Sequence, residues 1–373
     1  MAAAAALAAC HSEIQPGEPL PGLTQDERAR FEAGRAVFDS VFTPQTGLGP
    51  VFNQVACGEC HEDPQAGGRG DEVEIHVAVF KGGACDPLAD QGGPVIQQMV
   101  TPALRAALEL DKEPVPPEAT VQAHRTTPVI FGRGLLDAVP DSEILAHADP
   151  DDRDGDGISG RPNRSVDGRL GRFGRKALTP ALAEFNAGAF VVEQGVTNPA
   201  VPTEETVGGH PIPPGVDSTP DPEINQAELD HTDDFVRFLA IPSPGPATGD
   251  ARGGGQVFSR IGCDRCHLPR LVTGPSPVKA LNRVAFAAYT DLLLHDMGPD
   301  LVDICLGLAQ PSEFRTEPLI GLRFTKAFLH DGRATTLEQA IELHGGEGAK
   351  ARDLFQALPP AERAALLAFL ATL

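Results

Sequence analysis

The sequence predicts a mainly α fold, with two helical domains, long irregular loops and little β structure. Three observations lead there. Glycine (40) and proline (35) are abundant in a chain of 373 residues, so short helices must alternate with long irregular connections. The motif Cys-x-x-Cys-His occurs twice, at Cys57-Gly58-Glu59-Cys60-His61 and Cys263-Asp264-Arg265-Cys266-His267, with similar flanks, the mark of an internal duplication. Strand signals are few. Only Val73 to Phe80 alternates, weakly, as a small hairpin arm would.

The elements follow in order. Met1 to Ala9 is an alanine-rich apolar run ending in Leu7-Ala8-Ala9-Cys10, which looks like a bacterial lipobox. It predicts export to the periplasm and a lipid anchor on Cys10, with 1–10 as signal remnant and 11–24 as a polar tether. The basic residues expected before such a run are missing, so the start is expected to lie inside a longer signal peptide. Thr24 to Val41 reads as a helix capped by Thr24, with Phe31, Val37 and Phe38 on its apolar side.

A first domain is expected over 25–241, interrupted by a proline-rich insertion between Gly195 and Asn225, and closed by a helix carrying Phe235 and Leu239. Pro242-Ser243-Pro244-Gly245-Pro246 marks a linker over 242–250. The second domain fills 251–373 and ends in a helix from Ala361 to Leu373, with Pro359-Pro360 at its start.

A formal charge of −22 argues against nucleic acid or an anionic membrane surface as partner. No internal stretch approaches the roughly 20 apolar residues that span a bilayer.

Cys-x-x-Cys-His is the attachment pattern of a covalently bound, c-type haem. Two thiols three positions apart on a helical turn can reach the two vinyl groups of one haem, and the next His presents its imidazole to the iron. Structural zinc would need two further Cys or His near each pair, and none is evident. The duplication extends to Val51–Cys57, which aligns without gaps to Val257–Cys263, and to Arg125-Thr126-Thr127-Pro128, which parallels Arg315-Thr316-Glu317-Pro318. Each half is therefore expected to run apolar helix, haem motif, long loop, Arg-Thr-x-Pro, terminal helix. Cys85 and Cys305 remain, either paired with each other or as two buried thiols.

Several further stretches carry a resemblance. They are Gly47 to Asn53, Gly134 to Pro140, Asp149 to Gly160, Leu294 to Pro299 and Phe328 to Ala334. From about residue 25 onward the chain resembles the bacterial di-haem oxidoreductases, a branch of the di-haem cytochrome c peroxidase superfamily also called thiol oxidoreductases. The resemblance implies two cytochrome c-like helical domains facing each other across a haem–haem interface. It also implies an electron-receiving haem in the C-terminal domain and a peroxide-cleaving haem in the N-terminal one. An electron donor of cytochrome or cupredoxin type and hydrogen peroxide would then be the partners.

By that resemblance the second iron ligand opposite His267 is His344, with His295 and Met297 as rivals, and His330 makes a structural contact beside the haem. The face opposite His61 is open or closed by His76, which a plain strand histidine could equally explain. Asp137 is the expected acid–base group; Asp141, after Pro140, reads as a helix N-cap. Asp152, Asp154 and Asp156 stand at alternate positions before Gly157, like the opening of a calcium loop, although position twelve is Asn163. There is no tryptophan and one tyrosine, Tyr289, so no Trp relay between haems is possible. The competing reading is a non-enzymatic electron-transfer cytochrome with both irons six-coordinate.

Overall fold

The computed structural model describes residues 13–373; the lipobox-like segment and Cys10 lie outside the described residues. The helices are α1 (Gln25–Phe38), α2 (Cys57–Cys60), α3 (Pro102–Leu108), α4 (Arg133–Asp137), α5 (Asp141–Leu145), α6 (Leu182–Gln194), α7 (Gln226–Phe238), α8 (Ala251–Arg260), α9 (Leu337–Glu342), α10 (Ala349–Gln356) and α11 (Pro360–Leu370). The strands are β1 (Val51–Phe52), β2 (Val73–Lys81), β3 (Ala84–Asp86), β4 (Val95–Ile96), β5 (Met99–Val100), β6 (Val121–Thr126), β7 (Arg270–Val272), β8 (Ala285–Ala287), β9 (Leu294–Asp296) and β10 (Glu313–Arg315). Among the described residues no helix is long and apolar enough to cross a membrane.

The expectation of a mainly α fold with little β structure is overturned. The chain is only 31% helical and 15% strand. The expected hairpin arm is the long strand β2, which pairs antiparallel with β3, β4 and β6. Along β6 the side chains of Ala123 and Arg125 are buried while Gln122 and His124 are exposed. A polar residue on the inner face hides the period of two that would announce a strand. Most other strands are two or three residues long, too short for any pattern.

Two helix pairs build the halves. α1 packs along α7, and α8 along α11. Thr24 caps α1 as expected, in a capping box with Glu27, but the helix stops at Phe38 and not Val41. Likewise α11 begins with Pro360 at its first turn and ends at Leu370. Each pair crosses at a glycine. A Cβ on Gly34 would lie 1.8 Å from His231 O, and one on Gly254 would lie 2.0 Å from Ala365 O.

Those crossings correct the duplication. Val257 and Phe258 lie in α8, but Val51 and Phe52 form a strand paired with Met99 and Val100. The gapless match of flanks is not a structural equivalence. The equivalent segments are Gly34-Arg35-Ala36-Val37-Phe38 and Gly254-Gly255-Gln256-Val257-Phe258, and residues 39–56 separate the first from its motif. Pro44, Gly47, Gly49 and Pro50 keep that insert from being helical.

The halves share their largest core. Phe31, Phe131 and Phe235 pack in one cluster with Leu271, Phe286 and Ile320. Ion pairs reach across it, each from an arginine of the first half to a carboxylate of the second. Arg125 bonds Asp303 at 2.8 Å, and Glu317 is gripped by Arg133, Arg175 and Arg315. Cys85 and Cys305 form a disulfide that ties β3 to the loop before β10, 220 residues on.

Candidate haem sites

Both motifs fold as tight turns. Cys57 to Cys60 is one α-helical turn and Cys263 to Arg265 one 3₁₀ turn, which brings the two thiols of each pair to one side. His61 N and His267 N each donate to the first cysteine's carbonyl at 3.0 Å. Each imidazole is then aimed by its other nitrogen. His61 Nδ1 lies 3.1 Å from Gly68 O, and His267 Nδ1 lies 3.0 Å from Tyr289 O. A ring that donates from Nδ1 leaves the Nε2 lone pair for a metal. Phe38 and Phe258 pack against these rings, with centroids 6.2 and 6.5 Å away.

Burial pushes His61 below the usual histidine range, and burial with the nearby His344 pushes His267 down to about 4. Both shifts favour the neutral form that an iron ligand needs. All four motif thiols are raised by burial, so none is a reactive surface thiolate. Half-buried thiol pairs beside an oriented imidazole fit a haem at each motif.

The C-terminal site has room for the group. A cavity of about 960 Å³ is lined by Cys263, Cys266, His267, Met297 and His344, and extends to Arg175, Arg315 and Glu317. His344 follows α9, and its Nδ1 donates to Ala340 O at 2.7 Å, again leaving Nε2 free. Gly348 lets it sit there: a Cβ would lie 3.1 Å from His344 Cβ and 3.3 Å from Met297 Cε. The rival His295 is fully engaged, with ring nitrogens 2.8 Å from Asp291 Oδ2 and 2.7 Å from Glu347 Oε2. Its two carboxylate partners hold it well above the usual range; a doubly bonded imidazolium has no lone pair to offer. Met297 remains within the cavity. His330 stacks on Phe314, centroids 4.6 Å apart, and both line the same cavity.

Around the N-terminal motif the structure gathers acids that the sequence did not single out. Glu193, at the end of α6, is half-buried, receives Asn53 Nδ2 at 2.9 Å, and approaches Glu74. Burial and that second carboxylate push Glu193 well above the usual range, while Glu74 stays low because His76 Nε2 lies 2.8 Å from it. Two carboxyls pushed in opposite directions thus stand beside Cys60. His76 is buried, and its Nδ1 has no partner. No motif surrounds Glu193 in Val192-Glu193-Gln194, so only the fold could reveal it.

The remaining expected residues are placed as follows. Asp137 ends α4; Leu182 N donates to its Oδ1 at 2.9 Å, and Arg237 lies 3.4 Å from its Oδ2. Asp141 is the first residue of α5 and not its cap, and it pairs with Arg172. Of the acidic loop, Asp152 and Asp154 converge with Asp149, whereas Asp156 turns away to Arg265 inside the second motif.

Two halves, each presenting a cysteine pair and an aimed imidazole, define a di-haem protein. The chain belongs to the family described as "Di-haem oxidoreductase, putative peroxidase", whose model matches residues 118–373. The match includes the second motif and leaves out the first. No curated protein matches the chain. Among solved structures it is similar to the diheme peroxidase BthA of Burkholderia thailandensis at 15% identity, covering 97% of this chain and 89% of that one, with a TM-score of 0.44. It is also similar to a MauG-like protein associated with microbial copper homeostasis (15%, 97% and 93%, 0.39). Hydrazine synthase of Kuenenia stuttgartiensis is a third (14%, 100% and 99%, 0.38). Scores this low support no argument from those proteins to this one.

Proposed function

We propose that the chain is a periplasmic di-haem peroxidase, in which the C-terminal site relays electrons to the N-terminal site, where hydrogen peroxide is reduced. One observation carries the reading: the two sites are alike in their thiol pairs and aimed imidazoles and differ in what stands nearby. Beside His267 stands a second neutral imidazole, His344, with Nε2 free. Near His61 stands a half-buried acid pair, Glu74 and Glu193. Two imidazoles saturate an iron and suit it to electron transfer; a single one leaves a face for a small ligand.

Cys57, Cys60, Cys263 and Cys266 would hold the haems covalently, and the haems would supply electron storage and an iron for peroxide. The chain supplies the rest. Glu193 holds a proton that can be delivered to the departing peroxide oxygen, and Glu74 can accept and return it. Asn53 fixes the Glu193 carboxyl by its 2.9 Å bond. Over a turnover, one peroxide takes two electrons and two protons and leaves as two waters. The acid–base role falls to Glu193 because the Asp137 carboxylate is committed to Leu182 N and Arg237.

The disulfide between Cys85 and Cys305 supports an oxidising compartment, and the lipobox-like start supports a lipid anchor on Cys10. A charge of −22 favours a donor protein, of cytochrome or cupredoxin type, with a basic face. The convergence of Asp149, Asp152 and Asp154 supports calcium in the acidic loop.

A second reading rests on His76. Its unpartnered Nδ1 could close the N-terminal iron and leave a pure electron-transfer cytochrome. Peroxide-dependent oxidation of a reduced small cytochrome tests the choice. Turnover supports the peroxidase; its absence from protein carrying both haems supports the carrier.

A further inference from the structure

Within the proline-rich insertion, four carboxylates that the haem sites do not use come together. Glu204, Asp217, Asp221 and Glu223 each offer an oxygen within 4.8 Å of the others. Among the described residues none of the four forms an ion pair with Lys, Arg or His. Acidic side chains gathered on a surface are ordinary when water solvates them. Here it does not.

The separate observation is what has been left without a partner. Both oxygens of Glu204 and Oε1 of Glu223 are sealed from solvent and have no hydrogen-bond donor. Thr197, itself fully buried, directs its hydroxyl at both Asp221 Oδ1 and Glu223 Oε2, but one proton can satisfy only one of them. Glu113 shows the contrast in the same region: wholly buried, it receives Gln97 N at 3.2 Å and Gly208 N at 3.0 Å. A sealed carboxylate with no donor is costly. Something must stand where the donors are missing.

We propose that the insertion holds a calcium ion between Glu204, Asp217, Asp221 and Glu223. The donor set is all oxygen, with neither imidazole nor thiolate, and selects a hard cation. Two oxygens on one calcium, each about 2.4 Å from it, lie no more than about 4.8 Å apart, and the four oxygens here keep within that limit. The four residues come from irregular chain between Asn198 and Asn225, so the shell can adapt. That suits calcium's variable coordination over the strict octahedron of magnesium.

The ion has structural work to do. Glu223 receives Thr197 N at 2.6 Å, three residues past Gln194, which lies against Cys57. Calcium at Glu223 fastens the far end of the insertion to the segment that carries Glu193 and Gln194 beside the first motif.

The holoprotein, stripped with chelator, is dialysed to equilibrium against radiolabelled calcium. The pair Glu204→Gln with Glu223→Gln should bind one calcium fewer per chain than wild type, while Asp152→Asn with Asp154→Asn should leave this ion in place. Hydrogen exchange on wild-type protein needs no variant: calcium should slow amide exchange across 197–224. Equal calcium uptake by wild type and the Glu204/Glu223 variant overturns the site. So does exchange across 197–224 that calcium does not change, as a shared proton in place of the ion would give.

Discussion

Phe38 and Phe258 hold the same position in the two halves. Each lies four residues after the glycine at which its helix crosses a partner, and each sets its ring against the histidine of the nearer motif, at 6.2 and 6.5 Å. The crossing glycine, the phenylalanine and the imidazole form one unit used twice. It joins the packing of each half to the aim of its proximal ligand.

Replacing the crossing glycine therefore disturbs the haem site as well as the fold. Gly254→Ala puts a methyl carbon against Ala365 O, so α8 and α11 must separate. A loss of about 1–3 kcal/mol or more is expected for such overpacking, read as a lower urea midpoint. Because Phe258 moves with α8, the absorption spectrum of the C-terminal haem should shift at the same time.

Glu193→Gln keeps size and the Asn53 contact but removes the proton. Peroxide turnover should fall by about 10²–10⁴ with two haems still bound, as measured by stopped-flow oxidation of the donor. A matching loss in Asp137→Asn with Glu193→Gln unaffected would return the role to Asp137.

Glu113 gives a pH signature separate from the haems. Burial pushes its folded-state value up to about 7 from 4.5, so the native protein binds the extra proton between those values. Its contribution to stability is complete below pH 4.5 and is lost as pH rises through 7. Glu113→Gln cannot charge, so its stability relative to wild type should improve from pH 4.5 to 8. Urea midpoints across that range read the effect.

The disulfide predicts a larger loss. Cys85→Ser with Cys305→Ser opens a link spanning 220 residues and should cost about 2–5 kcal/mol. Thermal unfolding with and without reductant should show the wild type falling toward the variant.

Much of this was readable in the chain. Two motifs, Arg-Thr-x-Pro and His344 can be found as words, since each needs only a few adjacent residues. The Gly34–Phe38 repeat was hidden because residues 39–56 separate it from its motif, and the chance likeness of Val51-Phe52 to Val257-Phe258 lay closer. Glu193 and Asp149 could not be read, because what defines them is a partner distant in sequence or a turn of the loop. The β content was missed for a related reason. Strands of two or three residues exist by virtue of what they pair with, and Arg125 turns inward on β6 to meet Asp303, 178 residues on.

The central claim is that the two matched sites have unequal occupancy opposite their proximal histidines. EPR of the oxidised and half-reduced holoprotein tests it most directly. The account predicts a low-spin bis-histidine signal that His344→Gly abolishes, together with a second haem whose iron becomes high-spin or open to peroxide on half-reduction. Two low-spin bis-histidine signals that persist after half-reduction, with no peroxide turnover, would contradict it.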